Sequence, residues 1–566
     1  MYKRSYTCGI SDQPLIGLTI GEKFDEIVTR FPDNEALVVR HQKIRWTYSK
    51  LKEEVDSCAL ALMSLGIERG DRVGIWSSNR CEWTVLQFAC AKVGAILVNI
   101  NPSYRTHELE YALNQSGCKM IVIEDRFKYS NYHEMVCELA PELEHNQFGD
   151  LKAKKLPKLK TVVSLAKNPP AGMMPWATLK SRAREMDINA LEERGKTLSF
   201  DDPINIQYTS GTTGRPKGAT LSHHNILNNS IFIMRRMNFT DKERVIIPVP
   251  LYHCFGMVLG NLGCLVNGAT MIYPSASFDP QAVLETVEEE KATVLYGVPT
   301  MFIAELEHPD FEKYNLSSLR TGMMAGSPCP IEVMKKVQSV MHMSDVQVGY
   351  GMTETSPVAT QTKIGTPLEL QVGTVGQIHP HVEIKIINPE TGLVVPVGEA
   401  GELCMRGYNI MLGYWDDEEQ TRKAIDAAGW MHSEDLATMD EEGYIKIVGR
   451  IKDMIIRGGE NIYPKEIEEF LFTHPKISQV QVIGVPDLKY GEAVMAWIQL
   501  KEGEHLSEEE MREYCKGSIA YFKVPSYFKF TDEFPMTVTG KVRKVDMREI
   551  SIKELNLAEA SSVKTA

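Results

Sequence analysis

Ile204-Asn205-Ile206-Gln207-Tyr208-Thr209-Ser210-Gly211-Thr212-Thr213-Gly214-Arg215-Pro216-Lys217-Gly218-Ala219-Thr220-Leu221-Ser222-His223 is the stretch on which the fold turns. Its first five residues alternate as a strand does, its last five read as a second ordered segment, and a loop of glycines and hydroxyl residues joins them. Glycines let backbone approach an anion and accept positive φ, Thr209, Ser210, Thr212 and Thr213 supply hydroxyl donors, and Lys217 adds a mobile point charge. Standing alone, such a run reads as a solvated linker, but its ordered flanks argue against that. The Walker A pattern fails as well, because Lys217 follows Pro216 and precedes Gly218 instead of following a glycine and preceding Ser or Thr.

Working outward, β and α patterns alternate. Val73 to Trp76 forms an apolar run, Glu82 to Val93 is helix-like, and Ala95 to Val98 is a further strand. Thr106 opens a helix with Leu109, Ala112 and Leu113 on one face, and Met120 to Ile123 follows as a strand. This βαβ grammar predicts an α/β fold whose large N-terminal domain has parallel-rich sheets. After Arg450 the periodicity restarts in a compact tail. Pro464 suits a helix's first turn, Ile467, Phe470 and Leu471 share a stripe, and Val480–Val482 and Ala493–Leu500 read as strands. The expected organisation is a large domain over residues 17–449 and a small, mobile α+β domain over residues 453–552, joined by a hinge.

At 566 residues, 43% hydrophobic, 24% charged and a formal net charge of −13, the chain is globular, multidomain and a poor nucleic-acid binder. Lys152, Lys154, Lys155, Lys158 and Lys160 form a basic cluster, read as a solvated loop face. Eleven cysteines without a C-x-x-C pair or zinc spacing suit free thiols. No charged residue lies between Arg244 and Asp279, yet Pro248, Pro250, Gly256, Gly260, Gly263 and Gly268 interrupt that stretch. Buried strand, loop and helix lining an apolar pocket are therefore expected, with no transmembrane segment. The basic residues Lys3 and Arg4, with no acid before Asp12, are too short a run for a clear transit peptide.

Other segments recur in order with the loop: Pro250 to Gly256, Ala325 to Pro328, Tyr350 to Glu354, Gly401 to Gly407, Gly429 to Asp435, Gly449 to Asp453 and Thr539 to Lys541. Together they resemble the acyl-adenylate-forming superfamily of acyl-CoA synthetases, luciferases and peptide-synthetase adenylation domains. The resemblance covers residues 20 to 550 and is nearest to fatty acid:CoA ligases of animal mitochondria. It implies activation of a carboxylate with ATP and Mg²⁺ to an acyl-adenylate plus pyrophosphate, then thiol attack by CoA with release of AMP. A carboxylate needs this activation because oxide is a poor leaving group, and the α-phosphorus step needs positive charge where negative charge accumulates. The resemblance assigns Lys541 to the bridge between carboxylate and α-phosphate, Thr353 to the α-phosphate and Glu354 to Mg²⁺. It places the ATP phosphates on residues 209–217, with Arg215, Pro216 and Lys217 closing the loop.

By the same resemblance, Tyr350, Gly326 and Ser327 flank the adenine, Asp435 takes both ribose hydroxyls and Arg450 donates to the same sugar. His253 is the gate beside the carboxylate, and Tyr296 and Gly297 border the acyl pocket. Lys452 is the hinge, and Gly458 and Gly459 line the CoA channel. Ser433-Glu434-Asp435 departs from the usual Thr-Gly-Asp, which places a side chain beside the ribose and points to an effect on ATP affinity. Arg215 sits at a variable place in the loop. The few residues after Lys541 favour free CoA over a carrier domain as acceptor. A luciferase-like oxygenase is the second reading; a nucleotide or acyl-CoA sensor, the third, would be expected to lose Lys541 or Glu354, and both are present. An aromatic or short-chain acid is the alternative substrate. The resemblance implies a mitochondrial matrix location with the cytosol as alternative. Oligomeric state is not encoded in any motif.

Overall fold

The computed structural model describes residues 3–209, 216–327, 329–458, 460–536 and 542–557. It divides into two compact units, one formed by Cys8–Glu383 with Met405–Met431, the other by Met1–Thr7, Ile384–Cys404 and His432–Ala566.

The larger unit is built on two sheets, of eight and nine strands among the described residues. In the first, the strands Arg72–Trp76, Ile96–Asn99 and Met120–Ile123 run parallel, joined by the helices Cys81–Val93 and Thr106–Ser116. Met120–Ile123 is buried along its whole length, as expected of a parallel strand covered on both faces. The helix Cys81–Val93 is apolar almost all round and buries every residue but Glu82, so it is an internal layer and not a surface amphipath. Its one lysine, Lys92, reaches Asp25 at 2.8 Å and Asp56 at 2.6 Å, which compensates a charge only 8% exposed. Each Leu, Ile, Val or Phe buried in these layers contributes about 1.5–3 kcal/mol of transfer free energy.

Pro203–Thr209 pairs parallel to Ile96–Asn99 and antiparallel to Lys217–Ser222, so the quoted stretch is a hairpin at the sheet. Thr209 and Lys217 are directly opposite each other at its mouth. In the nine-stranded sheet, Arg244–Ile246, Thr270–Tyr273, Val294–Gly297, Thr321–Ala325 and Asp345–Tyr350 run parallel. The charge-free stretch thus supplies two strands, with the π-helix Phe255–Leu262 between them, all of whose residues are buried. No described helix is long and apolar enough to cross a membrane.

The strands Gly401–Gly407, Met431–Met439 and Ile445–Arg450 follow one another in a five-stranded sheet, of which residues 401–404, 432–439 and 445–450 belong to the smaller unit. A second sheet carries Ile477–Asp487 against Gly491–Leu500, with the helix Pro464–Phe472 beginning at its proline as expected. Ile467, Leu471, Val480, Val482 and Ile498 share its core.

Candidate active site

In the larger unit, the two ends of the glycine- and hydroxyl-rich loop are anchored before any ligand is considered. The Tyr208 hydroxyl lies 2.7 Å from Gln115 Oε1 and 2.9 Å from the Ala112 carbonyl. Tyr111 donates to the Pro216 carbonyl at 3.1 Å, so one helix, Thr106–Ser116, holds both sides of the loop. Ser210, Gly211, Thr212, Thr213, Gly214 and Arg215 lie outside the described residues.

Glu354 comes to the hairpin mouth on a 3₁₀ turn, Thr353–Thr355, which follows the strand Asp345–Tyr350. Gly351 makes the turn possible: a Cβ there would stand 1.9 Å from the Pro357 carbonyl oxygen. Thr355 Oγ1 accepts from the Met352 amide at 2.9 Å, and the Met411 amide donates to the Glu354 carbonyl at 2.9 Å. The carboxylate is buried, 8% exposed, and accepts from Thr209 Oγ1 at 3.2 Å and from Tyr414 Oη at 2.9 Å. Both bonds fall on Oε1, and Oε2 is left among the described residues as a hard oxygen able to hold a cation such as Mg²⁺. Lys217 Nζ sits 4.9 Å from the Tyr414 ring centroid, a cation–π contact. Thr209, Lys217 and Glu354 are therefore gathered as the sequence suggests, and Tyr414 is the member that sequence reasoning missed. Its signal was the Gly413-Tyr414-Trp415 run just beyond the Gly401–Gly407 segment. Thr353, 7% exposed, lies beside Glu354 on the same turn. Desolvation raises the thiol of fully buried Cys254 well above its ordinary range, so this neighbour of Glu354 and Thr353 stays a neutral thiol.

The remaining candidates of this unit line up along one sheet edge. Tyr296 and Gly297 end one parallel strand, Gly326 and Ser327 follow the end of the next, and Tyr350 ends the third. Ligands bind at the carboxyl ends of parallel strands because loops and unpaired backbone groups converge there. Gly326 has φ +93°, a conformation open to glycine. Tyr296 is fully buried, 5.6 Å from the Phe255 ring, and a Cβ at Gly297 would meet the Phe302 ring at 2.9 Å. His253 precedes the π-helix, and its Nδ1 accepts from the Phe255 amide at 3.2 Å, which places the ring proton on Nε2 in the neutral form.

In the smaller unit, Asp435 and Arg450 are register partners on adjacent antiparallel strands, and Arg450 Nε donates to Asp435 Oδ1 at 3.1 Å. Asp435 is 5% exposed, whereas the Arg450 side chain is 68% exposed. Ser433 Oγ accepts from the Asp435 amide at 3.1 Å and donates to the Leu403 carbonyl at 2.6 Å, fixing the carboxylate's backbone. Glu434 has φ +58°, which accounts for the glycine of the common pattern at this place. Its amide donates to Glu402 Oε1 at 3.2 Å, and its carboxylate pairs with Lys452 on the 3₁₀ turn Ile451–Asp453. Gly458, φ +61°, turns the chain between Ile455–Arg457 and Glu460–Ile462 and donates to the Tyr490 carbonyl at 2.8 Å. Gly459 and Lys541 lie outside the described residues.

A hairpin edged by Thr209 and Lys217 faces a tethered carboxylate beside the carboxyl ends of parallel strands, the setting in which α/β enzymes hold ligands. The chain belongs to the AMP-binding enzyme family: its profile matches residues 24–415, and that of the AMP-binding enzyme C-terminal domain matches 466–541. YngI of Bacillus subtilis (strain 168), named for acyl-CoA synthetase activity, is 50% identical over 96% of this chain and 99% of its own length. The mitochondrial medium-chain acyl-CoA ligase ACSF2 of Danio rerio is 47% identical over 98% of this chain and 91% of its own. Among solved structures, ATP-bound MatB from Rhodopseudomonas palustris superposes with a TM-score of 0.80 at 28% identity, covering 94% of this chain and 99% of that one. A Mycobacterium tuberculosis fatty acyl CoA synthetase does so at 0.70 and 26%, covering 95% and 99%.

Proposed function

We propose that this protein is an AMP-forming fatty acid:CoA ligase. The observation that carries the reading is the buried Glu354 carboxylate, held by Thr209 and Tyr414 at the mouth of a hairpin whose other edge is Lys217. The acid's carboxylate displaces pyrophosphate from the α-phosphorus of ATP. The CoA thiolate then attacks the acyl carbon, and AMP leaves with the electron pair of the broken C–O bond. Lys217 and the residue 209–217 loop would hold phosphate oxygens, Glu354 would hold Mg²⁺, and Thr353 would reach the α-phosphate. Bound there, Mg²⁺ supplies neutralisation of phosphate charge. Asp435 would accept from the ribose diol with Arg450 beside it, and Tyr350 with Gly326 and Ser327 would bracket the adenine. His253, Tyr296 and Gly297 would border the acyl chain, and Gly458 and Gly459 the pantetheine arm. Lys541 would bridge carboxylate and α-phosphate in the first half-reaction, with the boundary at Lys452 permitting exchange of the small domain, residues 453–552, between halves.

Medium-chain preference and a mitochondrial location follow the animal relatives' names, and the cytosol is the alternative. The test is pyrophosphate release with straight-chain acids of four to eighteen carbons, Mg²⁺ and ATP, with and without CoA, beside Lys541→Ala. A maximum at one chain length, CoA-dependent acyl-CoA formation and loss of the first step in the variant are expected. ATP binding without turnover on any fatty acid would overturn the reading, and turnover confined to aromatic acids would move the substrate class.

A further inference from the structure

Two residues apart on the strand Gly401–Gly407, Glu402 and Cys404 project to one face, and His432 joins them from the neighbouring strand Met431–Met439. His432 Nδ1 lies 2.9 Å from Glu402 Oε2 and 3.7 Å from Cys404 Sγ, and the three ligand atoms all fall within 4.8 Å of one another. Cys404 is fully buried and Glu402 is 8% exposed, whereas the His432 side chain is 28% exposed and leaves one side open to solvent.

Glu402 Oε2 accepts the Nδ1 proton, and the Cys404 thiol has the Glu402 carbonyl at 4.0 Å as a second, long partner. A cation in place of the Nδ1 proton would draw on all three atoms at once. Two anionic ligands and a neutral imidazole also cancel a divalent charge, as a buried site requires. The mixture of sulfur, nitrogen and oxygen selects a borderline-soft ion over Mg²⁺ or Ca²⁺. Tetrahedral zinc with bonds of about 2.0–2.3 Å sets its ligands roughly 3.3–3.6 Å apart, so small side-chain shifts complete the geometry.

We propose that Glu402, Cys404 and His432 form a binding site for a zinc-class divalent cation, with a fourth position toward solvent. Binding displaces to solvent the Cys404 thiol proton and the Nδ1 proton that Glu402 Oε2 accepts, and the imidazole proton that remains resides on Nε2. The site stands directly behind the strand residues proposed to meet the ribose, since the other oxygen of Glu402 accepts the Glu434 amide next to Asp435. A bound ion would thus brace the backbone that carries Asp435.

The full-length protein, stripped with a chelator, is titrated with Zn²⁺ against a chromophoric competitor. Uptake of one ion per chain is expected, lost in Cys404→Ser and weakened at least roughly tenfold in Glu402→Gln. Substitution with Co²⁺ should give a thiolate-to-cobalt charge-transfer band that Cys404→Ser abolishes, which separates this site from the other thiols. Zn²⁺ should raise the unfolding temperature of the wild type and not of the serine variant. Should Cys404→Ser fail to fold, His432→Asn carries the same comparison. Absence of stoichiometric uptake, or uptake and charge transfer unchanged by these substitutions, overturns the proposal.

Discussion

Removing the Tyr414 hydroxyl tests the logic of the proposed phosphate site most directly. Tyr414→Phe keeps the ring beneath Lys217 and deletes the 2.9 Å donor to Glu354 Oε1, leaving the 3.2 Å bond from Thr209. A hydrogen bond to a buried carboxylate contributes about 1.5–3 kcal/mol, equivalent to roughly 10- to 150-fold. The carboxylate would lose the shorter of these two tethers, so the loss should fall on MgATP. The assay is pyrophosphate release against MgATP and against free Mg²⁺, with unfolding measured in parallel. At least a tenfold fall in kcat/KM for MgATP is expected, with half-saturation in Mg²⁺ moved upward and thermal stability little changed. Thr209→Val, which removes the longer bond, should show the same pattern at smaller size. A Tyr414→Phe enzyme within twofold of wild type on both titrations would refute the idea that this hydroxyl positions Glu354.

Three further outcomes follow from single residues. Gly351→Ala drives a methyl to within 1.9 Å of the Pro357 carbonyl, so it should cost several kcal/mol or abolish adenylation, read by urea unfolding and pyrophosphate release; a normal enzyme would show that the turn relaxes freely. Glu434→Gly relieves a left-handed side chain worth about 1–2 kcal/mol and removes the ion pair to Lys452; ATP affinity should shift by a few-fold while kcat holds, and calorimetry showing identical ATP binding would count against it. His223 is fully buried, desolvation lowers its pKa to about 4, and its Nδ1 accepts the Ile20 amide at 3.1 Å. Between pH 6.5 and about 4 the unfolded chain binds the extra proton, so stability rises with pH, and on the order of 3 kcal/mol is lost as pH falls through that window. His223→Gln should lack this component in urea titrations, and parallel pH curves for the two proteins would rule it out.

The local part of this architecture was legible in the chain. Strands such as Met120–Ile123 and Ile204–Tyr208 announce themselves by short-range pattern, and the structure forms them there, whereas the segment from Ala219 read only as ordered and proves to be the antiparallel partner strand. Thr209, Lys217 and Glu354 stood out because their neighbours form recognisable strings. Tyr414 did not, since its partner Glu354 is 60 residues away and only sheet pairing brings Gly413–Tyr414 onto the strand Lys217–Ser222. The Glu402, Cys404 and His432 cluster was invisible for the same reason: no spacing rule links residues on neighbouring strands separated by a helix and its loops. The π-helix Phe255–Leu262 was foreseen only as a buried helix, because an apolar run carries no phase from which to tell a wide turn from an ordinary one.

The three consecutive parallel strands ending at Gly297, Ala325 and Tyr350 act as a ruler. Neighbouring strands are spaced about 4.8 Å apart by backbone hydrogen bonds, whatever side chains they carry. On the proposed roles, one graduation meets the acid and the next two meet the adenine. The separation of the two substrates is then written in main chain, and the choice of acid in side chains at one graduation alone. Such a division allows a lineage to change the acids it activates by editing around Tyr296 and Gly297 while its hold on the nucleotide stays in calibration.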